Sequence, residues 1–213
     1  MLIPLIKKDL MIVKAYSLGV VAIAAGLPLL LAWRQPQMGG MISLLMAVLI
    51  SSVAFNLAIS EKENQYPKAT ALLSSTPYTK GKVVISKYAL YFIIYLVCCV
   101  VYWVEMHLVP DLKLENFAQA AALVFLVQAF GMGIFLPIQY KFGYEKTKFV
   151  CFLLFLSPVI IDITKRVSFP AQLVSLMQSN TIMVTAIWNG FGICVWFISF
   201  AISKKIFDKK DLI

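Results

Sequence analysis

Few residues in this chain have the type and spacing that chemistry needs. Gly81-Lys82 could close a phosphate-binding loop, in which backbone N–H groups cradle a triphosphate and a lysine reaches its outer phosphates. That loop requires Gly-x4-Gly-Lys-[Ser/Thr]; here Val83 follows the lysine and Thr76 stands where the first glycine belongs. His107, the sole histidine, has Glu105 close by, but zinc takes three or four ligands and no others are at hand. Cys98, Cys99, Cys151 and Cys194 all lie in apolar runs with neither metal spacing nor a disulfide framework, and read as small packing residues. There is no nucleophile elbow and no His-Glu-x-x-His pair. Catalysis within this chain is not expected. The chemistry that remains is recognition, concentrated in EKENQYPKATALLSSTPYTKGKVVISKY, residues 61–88.

The elements around that stretch are greasy. Of 213 residues 61% are apolar and 14% charged, against about 25% charged in ordinary soluble domains. Mean hydropathy is +0.86. Several apolar runs reach the roughly 20 residues that cross about 30 Å of hydrocarbon. In lipid every backbone polar group needs an internal partner, and the runs do not alternate as barrel strands would. The fold class is therefore all-α: a polytopic membrane protein, a single transmembrane domain over residues 1–213. The spans fall at 16–33, 38–60, 83–109, 118–139, 149–161 and 181–203. The first run is too long for a signal-peptide core and more spans follow, so it reads as retained.

Placement of the 19 basic residues orients the bundle. Fifteen lie before span 1, between spans 2 and 3 or at the start of span 3 (Lys87), between spans 4 and 5, or after span 6; Arg34, Lys113, Lys165 and Arg166 lie on the other side. The positive-inside rule puts both termini in the cytoplasm, as an even number of crossings requires. The net charge of +9 is thereby an orientation signal, and no nucleic-acid partner is needed to explain it.

Residues 1–15 read as an interfacial helix on the inner leaflet. Leu2, Leu5, Ile6, Leu10, Ile12 and Val13 gather on one side and Lys7, Lys8 and Lys14 opposite, with Asp9 off the polar arc. The 13 residues Phe149–Ile161 make a short crossing of about 20 Å. The half-polar stretch after it fits a hairpin tucked into the outer leaflet between the fifth and sixth spans. Ser52 and Asn56 share a face of span 2, and Gln128 lies in span 4. Acids are absent from span centres, which disfavours ion-coupled transport. Ala118, Ala122, Ala129 and Gly133 form a small-residue stripe suited to close helix packing. Glu105, His107, Asp162, Lys165 and Arg166 read as headgroup-level charges, or alternatively as the lining of an outer exit.

The loop at 61–82 carries the sharpest expectation. Pro67 suits the first turn of a helix, Lys68 to Ser74 continue it, and Ser75-Thr76-Pro77 stops it. About two turns cannot stand alone in water, and Tyr66, Leu72, Leu73 and Tyr78 would be exposed without purpose. A partner or the membrane surface should cover them. Tyr140, Phe142, Tyr144, Glu145 and Lys146 repeat the mixture in the next connection on that side, and suggest one shared docking surface.

These residues resemble the membrane subunits of bacterial type-2 ATP-binding-cassette exporters. The likeness rests on Glu61-Lys62, Tyr66, Ala69 to Ser74, Pro77 and Ser86-Lys87-Tyr88, and on Pro137, Gly143 and Glu145-Lys146. Thr76 departs from the leucine common before that proline. Permeases for amphipathic antimicrobial or cytolytic peptides, such as the phenol-soluble-modulin exporter, are similar in character. The resemblance implies a coupling helix through Tyr66, Pro67, Lys68, Ala71, Leu72, Leu73, Thr76, Pro77 and Tyr78, with the second connection as a further contact. It also implies a separate ATPase subunit holding ATP and magnesium, no cofactor or metal in this chain, a second permease copy as homodimer partner, and a bacterial plasma-membrane location. The expected activity is export of an amphiphilic substrate, a peptide first, and the chain itself is not an enzyme. A stand-alone channel or secondary transporter is the alternative.

Overall fold

The computed structural model describes residues 2–34, 40–65, 80–114, 116–143, 147 and 181–208. Six α-helices make up this part: α1 (Leu2–Ile12), α2 (Lys14–Arg34), α3 (Met41–Gln65), α4 (Lys80–Leu108), α5 (Phe117–Phe142) and α6 (Thr181–Asp208). A single 3-10 turn, Pro110–Leu112, links α4 to α5, and no strand occurs among the described residues. Five helices, α2 to α6, are long and apolar enough to cross a bilayer. The protein is thus an all-helical polytopic membrane protein. The expected crossing at 149–161 and the hairpin after it lie outside the described residues.

Helices α2 to α5 run up and down and α6 runs parallel to α5, so the beginnings of α2 and α4 and the ends of α3, α5 and α6 share one end of the bundle with α1. That end also carries Lys7, Lys8, Lys14, Lys62, Lys82, Lys87, Lys141, Lys204 and Lys205, and is called the basic end below. The far end holds Arg34, Lys113 and the 3-10 turn.

The interior is built around α3 and α4. On α3 the buried face includes Leu44, Ala47, Val48, Phe55 and Ile59, and on α4 Val84, Leu90, Ile94 and Tyr102. Helices α2 and α6 lie outside, presenting Leu18, Leu30, Ile187, Phe191 and Ile198 outward. Such faces suit lipid, which solvates them as well as another apolar side chain would. Cys98 and Cys99 are buried thiols of α4, while Cys194 faces outward from α6.

Small residues set the α5–α6 distance. A Cβ on Gly192 would come within 2.9 Å of the Phe125 ring, and one on Gly133 within 3.4 Å of Ser199 Cβ. Close backbone approach stands in for the hydrophobic drive that lipid abolishes between helices. Of the stripe read from sequence, Ala122, Ala129 and Gly133 are buried and Ala118, at the helix start, is exposed.

At the far end the Tyr102 hydroxyl ties three elements. It donates to the Gly40 carbonyl at 2.8 Å, with the Leu112 carbonyl at 3.2 Å and Ser43 Oγ at 3.1 Å. Gly40 turns the chain into α3 with φ +74°, a left-handed conformation that glycine adopts without steric cost.

Candidate functional site

Proteins of this architecture work through polar groups that their apolar helices bury, because each such group costs free energy unless it has a partner. The described residues contain one dense set of these, at the basic end. Its centre is Lys87, in the second turn of α4. Lys87 Nζ stands 2.7 Å from Glu63 Oε2, with 10% of the lysine side chain and 35% of the glutamate exposed. Glu63 lies two residues before the end of α3, and Lys87 seven after the start of α4. The pair therefore staples together the two helices that flank residues 66–79. The same ammonium sits 5.9 Å from the centre of the Tyr140 ring on α5, a cation–π arrangement. Tyr140 in turn packs on Phe207 of α6, ring centroids 5.2 Å apart.

The third charge comes from α1. Leu5, Asp9 and Val13 are spaced as one helical stripe, at 2%, 3% and 1% exposure, and α1 lies mainly against α4. The residue that fell off the polar arc in sequence is thus the middle of the packed face. Leu10, Met11 and Ile12 are exposed instead. Asp9 pairs with its neighbour Lys8 at 3.1 Å. Burial pushes its carboxyl above the ordinary carboxylate range; Lys8 and then Lys87 pull it back, and Glu63 pushes it further up.

Above these charges a directed chain of hydrogen bonds crosses three helices. The Gln139 amide on α5 donates to Ser60 Oγ on α3. Ser60 donates to Asn56 Oδ1 at 3.1 Å, and the Asn56 amide donates to the Tyr91 hydroxyl on α4. One level higher the Gln128 amide of α5 donates to Ser52 Oγ at 3.0 Å and to the Tyr91 carbonyl at 3.1 Å. On the other side of α4, the Tyr88 hydroxyl bonds Ser199 Oγ at 2.6 Å and Ser203 Oγ at 2.9 Å, both on α6. A displacement of α4 at the basic end therefore meets a polar tie to α3, α5 and α6.

The sequence-derived site residues divide. Tyr66, Pro67, Lys68, Ala71, Leu72, Leu73, Thr76, Pro77 and Tyr78 lie outside the described residues, as do Tyr144, Glu145 and Lys146. Of the second connection, Phe142 is exposed while Tyr140 is buried beside Lys87 and Phe207. The difference follows from helix length: α5 continues to Phe142, with Pro137 inside it, and Gly143 closes it by donating its N–H to the Gln139 carbonyl at 2.9 Å with φ +82°. Sequence reasoning gave Glu63 and Asp9 no role. Asp9 left a readable signal, as the only acid before Glu61.

At the far end Glu105 and His107 part company. His107 is exposed and its Nδ1 lies 2.8 Å from the Trp103 carbonyl. Glu105 is 6% exposed, with no hydrogen-bond partner for either oxygen among the described residues. It is therefore no solvated headgroup-level charge.

Among the described residues, five helices long and apolar enough to cross a bilayer, a basic end with an inward-facing ion pair, and polar ties between helices define a polytopic membrane protein. Residues 4–208 match the family described as ABC-2 family transporter protein, and the chain belongs to that family. No curated protein and no solved structure matches it.

Proposed function

We propose that this chain is the permease subunit of an ATP-binding-cassette exporter, driven by separate ATPase subunits that bind ATP and magnesium. Residues 66–78 form the coupling helix that docks on the ATPase, with Phe142, Tyr144, Glu145 and Lys146 as a second contact at the same cytoplasmic face. Two copies surround the export pathway in the plasma membrane, both termini inside, and the cargo is an amphiphile, a peptide foremost. ATP binding closes the ATPases, and the docked segments pass that rigid-body motion to the spans.

Family membership supports the transport role. The observation that carries the coupling role is the Glu63–Lys87 pair, which joins both helices leaving the proposed docking segment at 2.7 Å. Force applied to residues 66–79 then enters α3 and α4 together, and the ties of Tyr88, Tyr91 and Gln139 spread it to α5 and α6. Co-expression with an ATP-binding-cassette ATPase and purification through this chain tests the reading. A co-purified ATPase with vanadate-sensitive export is expected. A stand-alone channel or secondary transporter would move cargo without the ATPase and regardless of vanadate.

A further inference from the structure

Glu105 is the buried acid to which coupling at the basic end gives no task. It continues the inward stripe of α4 that runs through Cys98 and Tyr102, while Trp103, Val104 and His107 face outward. Both of its carboxyl oxygens are buried without a hydrogen-bond partner among the described residues. Its surroundings are rich in acceptors. Tyr102 precedes it by three positions on the same helical face, about 5–6 Å away between Cβ atoms. The Tyr102 hydroxyl stands 2.8 Å from the Gly40 carbonyl, 3.2 Å from the Leu112 carbonyl and 3.1 Å from Ser43 Oγ. Ser43 gives its own proton to the Gly40 carbonyl at 2.7 Å. Tyr102 has one proton to give, so this corner holds more acceptors than donors before Glu105 adds two.

No countercharge stands nearby to answer that surplus. Arg34 and Lys113, the described cations of the far end, are exposed, and His107 faces outward with Nδ1 on the Trp103 carbonyl. A water would supply protons and leave the buried charge unmatched. A primary ammonium supplies both needs, since it carries a unit charge, three N–H donors and no acceptor.

We propose that Glu105 anchors a binding site for a primary ammonium at the far end, and that the ligand is a lysine or terminal ammonium of an amphipathic peptide being exported. Glu105 lies one turn inside the end of α4. At that depth a peptide can keep its apolar face in hydrocarbon while its charged group reaches the headgroup level. Glu105 thereby selects cationic over neutral amphiphiles. The ligand's role as cargo rests on the exporter reading, whereas binding at Glu105 needs neither ATP nor the ATPase.

The test uses the full chain in nanodiscs of zwitterionic lipid, with empty discs as the baseline. A fluorescent lysine-bearing amphipathic peptide is titrated beside the same peptide with its amines acetylated. The wild-type chain is expected to bind the amine form at least tenfold more tightly. Glu105→Gln should abolish that preference, and His107→Gln, on the outward face of the same turn, should keep it. Equal binding of the two peptides by the wild-type chain, or a preference that survives Glu105→Gln, overturns the site. A second measurement needs no variant: butylammonium chloride should raise the wild-type melting temperature above that in equimolar sodium or tetramethylammonium chloride, because only butylammonium brings N–H donors. Equal melting temperatures in the three salts overturn the ammonium specificity. If the peptide binds through Glu105 but ATP and the ATPase do not move it, the exporter reading fails and the site stands. If it is moved with no preference for amines, the site fails and the exporter reading stands.

Discussion

Lys87 Nζ and Glu63 Oε2 are 2.7 Å apart, although 24 residues of chain separate them. The two partners are unequal, since the lysine is the more deeply buried. Removing the glutamate leaves an ammonium in the interior, whereas removing the lysine leaves a carboxylate with access to solvent. Glu63→Gln should therefore cost more stability than Lys87→Met. The loss for Glu63→Gln should be on the order of 2 kcal/mol, below the ~3–5 kcal/mol of a fully buried pair because Glu63 stays partly hydrated. Chemical unfolding in mild detergent, comparing the two variants, checks the order.

The α5–α6 seam makes a steric prediction. Because a Cβ at Gly192 already meets Phe125 at 2.9 Å, Gly192→Leu must spread the two helices or expel the ring. Overpacking of this kind costs about 1–3 kcal/mol. The double variant Gly192→Leu with Phe125→Ala should recover part of the loss, as measured by thermal aggregation of the purified chain.

Gln128 makes a contrasting polar prediction. Its amide bonds Ser52 and the Tyr91 carbonyl, while its Oε1 is buried without a partner among the described residues. Side-chain hydrogen bonds between membrane helices average about 0.6 kcal/mol. Gln128→Leu removes an unsatisfied oxygen along with two bonds, so its net cost should stay below about 1 kcal/mol. Gln128→Glu should be far worse, because it buries a charge at the same depth.

Asp9 makes the pH prediction. Its folded-state carboxyl titrates above its ordinary value of 3.8, chiefly because of burial. A raised group gives a stability contribution that is complete below its unfolded value and is lost as pH rises through the folded one. Unfolding midpoints of the wild-type chain should thus fall relative to Asp9→Asn as pH rises above 3.8. A constant gap between the two proteins across that range would contradict the burial of an ionisable Asp9.

How much of this was legible in the sequence depends on the range of the interaction involved. The helical class and five of the crossings are local properties, set by run length and hydropathy, and they read directly. The orientation of α1 did not. A helical wheel assigns faces by average polarity, and that average puts Asp9 aside as an exception, whereas Lys8 beside it, and after it Lys87 on α4, offset the charge of an acid that faces inward. Tyr140 reads as the first residue of a connection because the fourth apolar run is bounded at 139; the helix reaches Phe142, and Tyr140 turns inward on it. Gly192 carried no periodic signal at all, since its constraint comes from Phe125 on another helix. The Glu63–Lys87 pair spans the connection between two helices, and no local pattern encodes which acid such a lysine meets.

The docking segment bears the account as a whole, and Leu72→Asp and Tyr78→Asp address it most directly. With the permease and its ATPase reconstituted together, substrate-stimulated ATP hydrolysis is the quantity to measure, alongside membrane insertion of the variant. The account predicts that either change abolishes the stimulation while insertion is untouched. Stimulation equal to wild type in both variants would contradict it.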